Sequence, residues 1–307
     1  MKFSLAKASR IGARKINQDR LGHWQSKEAL LLAVADGLGG HARGEVAAQV
    51  SIDILGAAFQ REATPRLADP DAFLERSLGA GHAAILREGQ RLGLPETPRT
   101  VLVACVVQDG YVYWNHIGDA RLYLFRNGRI VSRTRDHTVV QSLVDTGRIR
   151  EEAVSSHPER NRLLQALGGY QSPRPEPAAS ARLEKGDVLL LCSDGFWGPL
   201  TQRQMLHALM ARPLTEAIPE LVALAEVRAG PQCDNVTVLA LSWTEDRIAE
   251  TQPMPAVSPG ATPAATATQI RDFTSTDPDF VHMSDEEIEK AIEELKEALR
   301  KNAPPQP

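Results

Sequence analysis

Apolar residues gather in short runs along the first 243 positions: 30–35 (LLLAVA), 101–107 (VLVACVV), 111–117 (YVYWNHI), 121–125 (RLYLF), 129–133 (RIVSR), 187–192 (DVLLLC) and 235–243 (NVTVLALSW). Runs of this length, bounded by turn residues, predict β-strands. Gln-Asp-Gly separates the second run from the third, and Arg-Asn-Gly separates the fourth from the fifth. Asp-Gly and Asn-Gly tolerate the positive φ that tight hairpins require, so the middle of the chain is predicted to be an antiparallel meander. Helical periodicity covers residues 44–60, 70–92, 137–147 and 201–227. Strands in runs, with helices segregated before and after, predict an α+β fold: a central antiparallel β-sandwich flanked by helices.

The pattern breaks after Trp243. Residues 251–268 (TQPMPAVSPGATPAATAT) are rich in Pro, Ala and Thr and read as a semi-extended linker. Ser284 and Glu287 then form a capping box ahead of a narrow apolar stripe of Ile288, Ile292, Leu295 and Leu299. The predicted organisation is a folded domain over 1–245, a flexible linker over 246–283 and an acidic amphipathic helix over 284–302.

Composition narrows the class. The 307 residues are 42% hydrophobic and 24% charged, ordinary for a soluble protein. No apolar run approaches the roughly 18 residues that span a bilayer, and the opening MKFSLAKASRIGARK lacks the apolar stretch of a signal peptide. Three cysteines without a C-x-x-C pair suggest reduced thiols and a cytoplasmic setting, with Cys105 and Cys192 in the core. The net charge is −4, but residues 270–302 hold ten acids against five bases. The body is therefore near neutral without a basic patch, which argues against nucleic-acid binding.

The candidate chemistry begins at LLAVADGLGGHARGE, residues 31–45. A strand carries Asp36 out of the core into a glycine-rich loop. GLGGHA fits the relaxed dinucleotide pattern G-x-G-x-x-A, but no second parallel strand ending in an acid follows, and the later strands form hairpins. The placement of Asp36 recurs instead. Asp119, Asp194 and Asp234 also stand at strand ends, where a lone charge is costly. One such Asp would be read as a turn cap; four together point to a cation. All-oxygen ligands suit Mg²⁺ or Mn²⁺, whereas zinc would call for closely spaced His or Cys. Two such ions sharing a carboxylate supply an activated water and a clamp for a phosphoryl group. Upstream, GARKINQD (12–19) offers Arg14 as a fork for phosphate and Asp19 to orient water on an ion.

These segments resemble the metal-dependent serine/threonine protein phosphatases of type 2C, the PPM family, in its bacterial form. The similarity lies in GARKINQD, VADGLGGHARGEVAA, HIGDARLYL, TRDHTVVQSLVDTGRI, LLLCSDGFWGPL and CDNVTVLAL, in the family's order over about residues 5–243. The resemblance implies a sandwich with helices on both faces (α-β-β-α) and two tightly bound Mn²⁺ or Mg²⁺ ions at one end. It implies that Asp36 bridges the ions, the Gly37 carbonyl ligates one, Asp194 and Asp234 complete the first, and Asp19 holds water on the second. Asp119 with Asp194 would match a third, weaker site, and Arg14 would bind the substrate phosphate. Phosphorylated proteins and a separate Ser/Thr kinase are the implied partners, with a docking partner possible for the C-terminal helix. Three departures stand out. Arg10 occupies a position where the family has an acid, Leu38 stands where animal members carry a proposed acid His, and His41 lies three residues further on as an alternative proton donor. Thr100 is retained, and residues 145–180 would include the flap beside the site.

Competing chemistries leave clear marks. A cysteine phosphatase needs Arg six residues after its nucleophile, but Tyr111, Gly198 and Leu239 stand there. The His-rich signatures of other dinuclear phosphatases are missing from the sequence. A non-catalytic relative would have lost ligands, yet every implied ligand position is filled.

Overall fold

The computed structural model describes residues 1–38, 43–150, 153–154, 157–175 and 178–244. The predicted linker, the C-terminal helix and His41 lie outside the described residues. The elements in chain order are β1 (Phe3–Arg10), β2 (Arg20–Gln25), β3 (Ala29–Gly37), α1 (Gly44–Glu62), α2 (Pro70–Arg91), β4 (Thr100–Gln108), β5 (Tyr111–Ile117), β6 (Arg121–Arg126), β7 (Arg129–Arg133), α3 (Val139–Asp145), β8 (Ala179–Arg182), β9 (Val188–Cys192), α4 (Asp194–Trp197), α5 (Gln202–Ala211), α6 (Leu214–Ala229) and β10 (Val236–Trp243).

The strands form two five-stranded sheets of order β1-β10-β9-β6-β7 and β2-β3-β4-β5-β8, in which every pairing is antiparallel. Alternation along the central strands explains the layering. In β4, Val101, Val103, Cys105 and Val107 face the other sheet, while Leu102, Ala104 and Val106 face the layer of α1 and α2. In β9, Leu189 and Leu191 face inward between the sheets, and Leu190 and Cys192 face α5 and α6. A strand buried on both faces needs apolar residues at every position, which is why these strands read as unbroken runs. The predicted α-β-β-α sandwich is the observed one.

The meander needs correction. Both hairpin turns form as the sequence predicts, with positive φ at Asp109 and Gly110 and at Asn127 and Gly128. However, β5 and β6 belong to different sheets. The chain crosses between them at Gly118, whose φ of +98° and whose approach to Val101 leave no room for a side chain: an added Cβ would lie 2.1 Å from Val101 Cγ1. The helix predicted over 201–227 is two helices, because Pro213 holds Arg212 in extended backbone and starts α6 afresh. The expectation missed β1, β2 and β8, whose mixed burial lacks an apolar run.

Candidate active site

Sheet geometry brings the strand-end acids together. Asp36 sits one residue before the end of β3, Asp194 begins α4 directly after β9, Asp234 precedes β10, and Asp119 lies between β5 and β6. All four lie at one end of the sandwich. Asp19, just before β2, joins them from the N-terminal loop, and the charges of Asp19, Asp194, Asp119 and Asp234 all act on Asp36.

Each backbone approach has a local cause. An added Cβ on Gly37 would lie 2.5 Å from the Gly44 carbonyl group and 2.7 Å from the Gln18 carbonyl oxygen. Glycine there lets the end of β3 pack directly on the start of α1, with its backbone buried beside Asp36. The Thr100 hydroxyl donates to the Asp36 carbonyl at 2.7 Å and steadies the same strand end. The N-terminal loop is fastened by Asn235: its Nδ2 donates to the carbonyls of Ile11 (2.8 Å) and Ile16 (3.1 Å), and its Oδ1 accepts from the Gln18 amide at 2.8 Å. That loop presents Arg14, whose Nη2 donates to Asp234 Oδ2 at 2.6 Å. Both partners are partly exposed, so the pair sits at the mouth.

The electrostatics are those of a crowded anionic site. Burial, reinforced by four neighbouring carboxylates, holds the Asp36 carboxyl well above the ordinary range. Burial also raises Asp194, with Asp234 adding to it and a hydrogen bond with Asp36 pulling it back. Burial and the charges of Asp194 and Asp136 hold Asp119 high, against Arg121. Asp19 is 3% exposed, and burial pushes it up to about 7 although Ser193 donates to it at 2.8 Å. Burying these carboxylates together without a counter-ion is costly. A divalent cation would supply the missing positive charge, and the donors are all oxygen, the set that suits Mg²⁺ or Mn²⁺. Among the described residues no three His, Cys, Asp or Glu side chains form a ready-made cage.

The structure thus brings Arg14, Asp19, Asp36, Gly37, Asp119, Asp194 and Asp234 to one face. Leu38 follows Gly37 with its amide held by the Arg99 carbonyl, and it can donate no proton from its side chain. Sequence reasoning assigned no role to Ser193, Asn235, Arg121, Asp136 or Trp197. All five fall in the quoted motifs, but polar residues inside or beside apolar strands give no periodic signal of their partners.

The chain matches the family described as protein phosphatase 2C over residues 7–224. It belongs to that family. It is 38% identical over 227 residues to the serine/threonine protein phosphatase PstP of Mycobacterium tuberculosis, covering 74% of this chain but 43% of that protein, so it spans less than half of that relative's length. It is 30% identical over 229 residues to the serine/threonine phosphatase stp of Listeria innocua, covering 74% of this chain and 90% of that protein. A crystal structure of the PstP catalytic domain in complex with two manganese ions superposes with a TM-score of 0.67 at 34% identity, covering 79% of this chain and 99% of that domain. The described domain is therefore of the PPM class of serine/threonine protein phosphatases. Among the described residues no helix is long and apolar enough to cross a membrane.

Proposed function

We propose that this chain hydrolyses phosphoserine and phosphothreonine in proteins, reversing a separate Ser/Thr kinase, with Mn²⁺ or Mg²⁺ held by its acidic face. The observation that carries this reading is the convergence of five carboxylates around one β-strand end with one guanidinium at the rim. In this reading Asp36, the Gly37 carbonyl, Asp194 and Asp234 would hold the first ion, with Asp36 shared by a second that Asp19 would serve through water. Asp119 and Asp194 would hold a weaker third. Bound ions of this kind supply an activated water and neutralise phosphoryl oxygens.

The protein's own residues do the rest. Arg14 offers a planar fork to two phosphate oxygens. Asp234 accepts from Arg14 and holds that fork at the mouth of the site. Ser193 fixes the Asp19 carboxylate, and Asn235 keeps the N-terminal loop closed over β10. His41 is the candidate donor to the leaving oxygen, because Leu38 has no proton to give. The tail helix would act as a recruitment element for a docking partner, tethered by the linker and raising local substrate concentration.

A phosphopeptide assay tests this reading. Hydrolysis should require Mn²⁺ or Mg²⁺, stop in excess EDTA and proceed without a trapped phosphoenzyme. Activity that survives EDTA, or a covalent phosphoenzyme, overturns it. Truncation after Glu245 should leave aryl phosphate hydrolysis intact and slow that of the physiological phosphoprotein.

A further inference from the structure

A buried polar cluster beside the acidic face is built around Arg121, the first residue of β6. Its Nε and Nη2 donate to Asp136 Oδ1 and Oδ2 at 2.8 and 2.7 Å, and its Nη1 donates to the Tyr123 hydroxyl at 2.9 Å. Both ends of the ion pair are more than nine-tenths buried. The flat face of the guanidinium lies on Trp197, with Cζ 3.4 Å from the ring centroid. Trp197 in turn donates its Nε1 hydrogen to the Asp119 carbonyl at 3.0 Å. It is also the last residue of α4, the single turn that Asp194 begins. Trp197 thus links the two acids: its indole is hydrogen-bonded to the Asp119 main chain, and its backbone is the far end of the turn that Asp194 begins.

A buried ion pair is a poor way to gain stability, since desolvation consumes most of its attraction. This pair has a geometric use instead. The two-point contact with Asp136 fixes the guanidinium plane, and the plane fixes the ring. We infer that Arg121 is a positioning residue: by clamping Trp197 it sets the spacing between Asp119 and Asp194, and with it the affinity of the cation those two acids hold together. The inference rests on the reading of Asp119 as part of a third, weaker ion site. Groups that orient ligands from behind commonly govern metal affinity by roughly 10- to 100-fold.

The test is a calorimetric Mn²⁺ titration of the full chain, parent and variants, paired with tryptophan emission during a Mg²⁺ titration. Trp197→Phe keeps an aromatic ring under Arg121 and removes only the donor to Asp119. It should weaken the low-affinity step about tenfold and leave the two tight steps unchanged. Arg121→Lys, which loses the flat fork, should weaken the same step further. The emission difference between parent and Trp197→Phe should change only over the Mg²⁺ range of the weak step. An unaltered weak step in Trp197→Phe overturns the inference, as does loss of all three steps. Asp119→Ala separates the two failures. If it removes the weak step while Trp197→Phe does not, the clamp is wrong and the ion site stands. If it leaves the weak step in place, the third-ion reading fails and takes the clamp with it. Should Arg121→Lys not fold, Trp197→Phe decides alone.

Discussion

The two ends of β9 make opposite use of an aspartate. Asp187 stands just before the strand and Asp194 just after it. Asp187 is completely buried, yet Arg126 grips both its oxygens at 2.8 and 2.7 Å, and the Glu184 amide donates to it at 2.8 Å. Asp194 has carboxylates for neighbours, and burial with the charge of Asp234 raises it. A buried acid given its own cation by the chain is structural. A crowd of acids sharing one exposed arginine is a site prepared for a positive charge from outside.

The largest expected effect breaks this contrast at its centre. Asp36→Asn removes the charge shared by the whole cluster and should lower phosphopeptide turnover by several orders of magnitude, measured at saturating Mn²⁺. The two ends of β9 should then separate in thermal melts taken in EDTA. Asp187→Ala leaves Arg126 only Glu184 and the Arg182 carbonyl as partners and should cost about 1.5–3 kcal/mol, a fall in Tm on the order of 5 °C. Asp194→Asn should instead raise the metal-free Tm by roughly 2–4 °C, because it relieves repulsion, while abolishing activity. Equal losses in both variants would show that the acidic face is held together as ordinary structure.

Proton linkage sharpens the comparison further. Burial raises Asp19 from the usual carboxylate value to about 7 in the metal-free fold. Between about pH 4 and 7 the folded chain therefore binds a proton that the unfolded chain has released. Asp19 contributes this stability fully at acid pH and loses it as pH rises through about 7. In EDTA, the stability difference between the parent and Asp19→Asn should fall over that window. With excess Mn²⁺ the slope should reverse, since ions compete with those protons. Arg14→Ala is a smaller perturbation and should raise KM more than it lowers kcat, as expected when phosphate is gripped alike in ground and transition states. Thr100→Val should be smallest, about 1 kcal/mol of stability, from loss of the bond to the Asp36 carbonyl.

How much of this was legible in the sequence follows from what periodicity can encode. Strands buried on both faces announced themselves, as at 101–107 and 187–192, and so did Asn-Gly and Asp-Gly turns. Three of the four edge strands did not: β1 (FSLAKASR), β2 (RLGHWQ) and β8 (ASAR) mix small, polar and charged residues and are only partly buried. The acids at strand ends were visible as a recurring placement, but Asp187 and Asp194 flank the same apolar run and cannot be told apart by pattern. Only the spatial arrival of Arg126, 61 positions upstream, distinguishes them. Arg121 was hidden for a related reason: RLYLF reads as a strand with an exposed leading charge, while Asp136 and Trp197 bury that charge from two distant segments.

The pairing of β1 with β10 has a consequence for how this protein comes into being. The eight-residue register from Phe3–Trp243 to Arg10–Val236 joins the first strand to the last. Arg14 and Asp234, 220 positions apart, meet only once both are in place. During synthesis the emerging chain must therefore carry an unpaired first strand until nearly all of the domain has been made. A premature stop or a proteolytic cut that separates β10 from the rest removes Asp234, Asn235 and the partner of β1 in one event. Such a fragment should be left with no active intermediate form: the enzyme arrives complete or not at all.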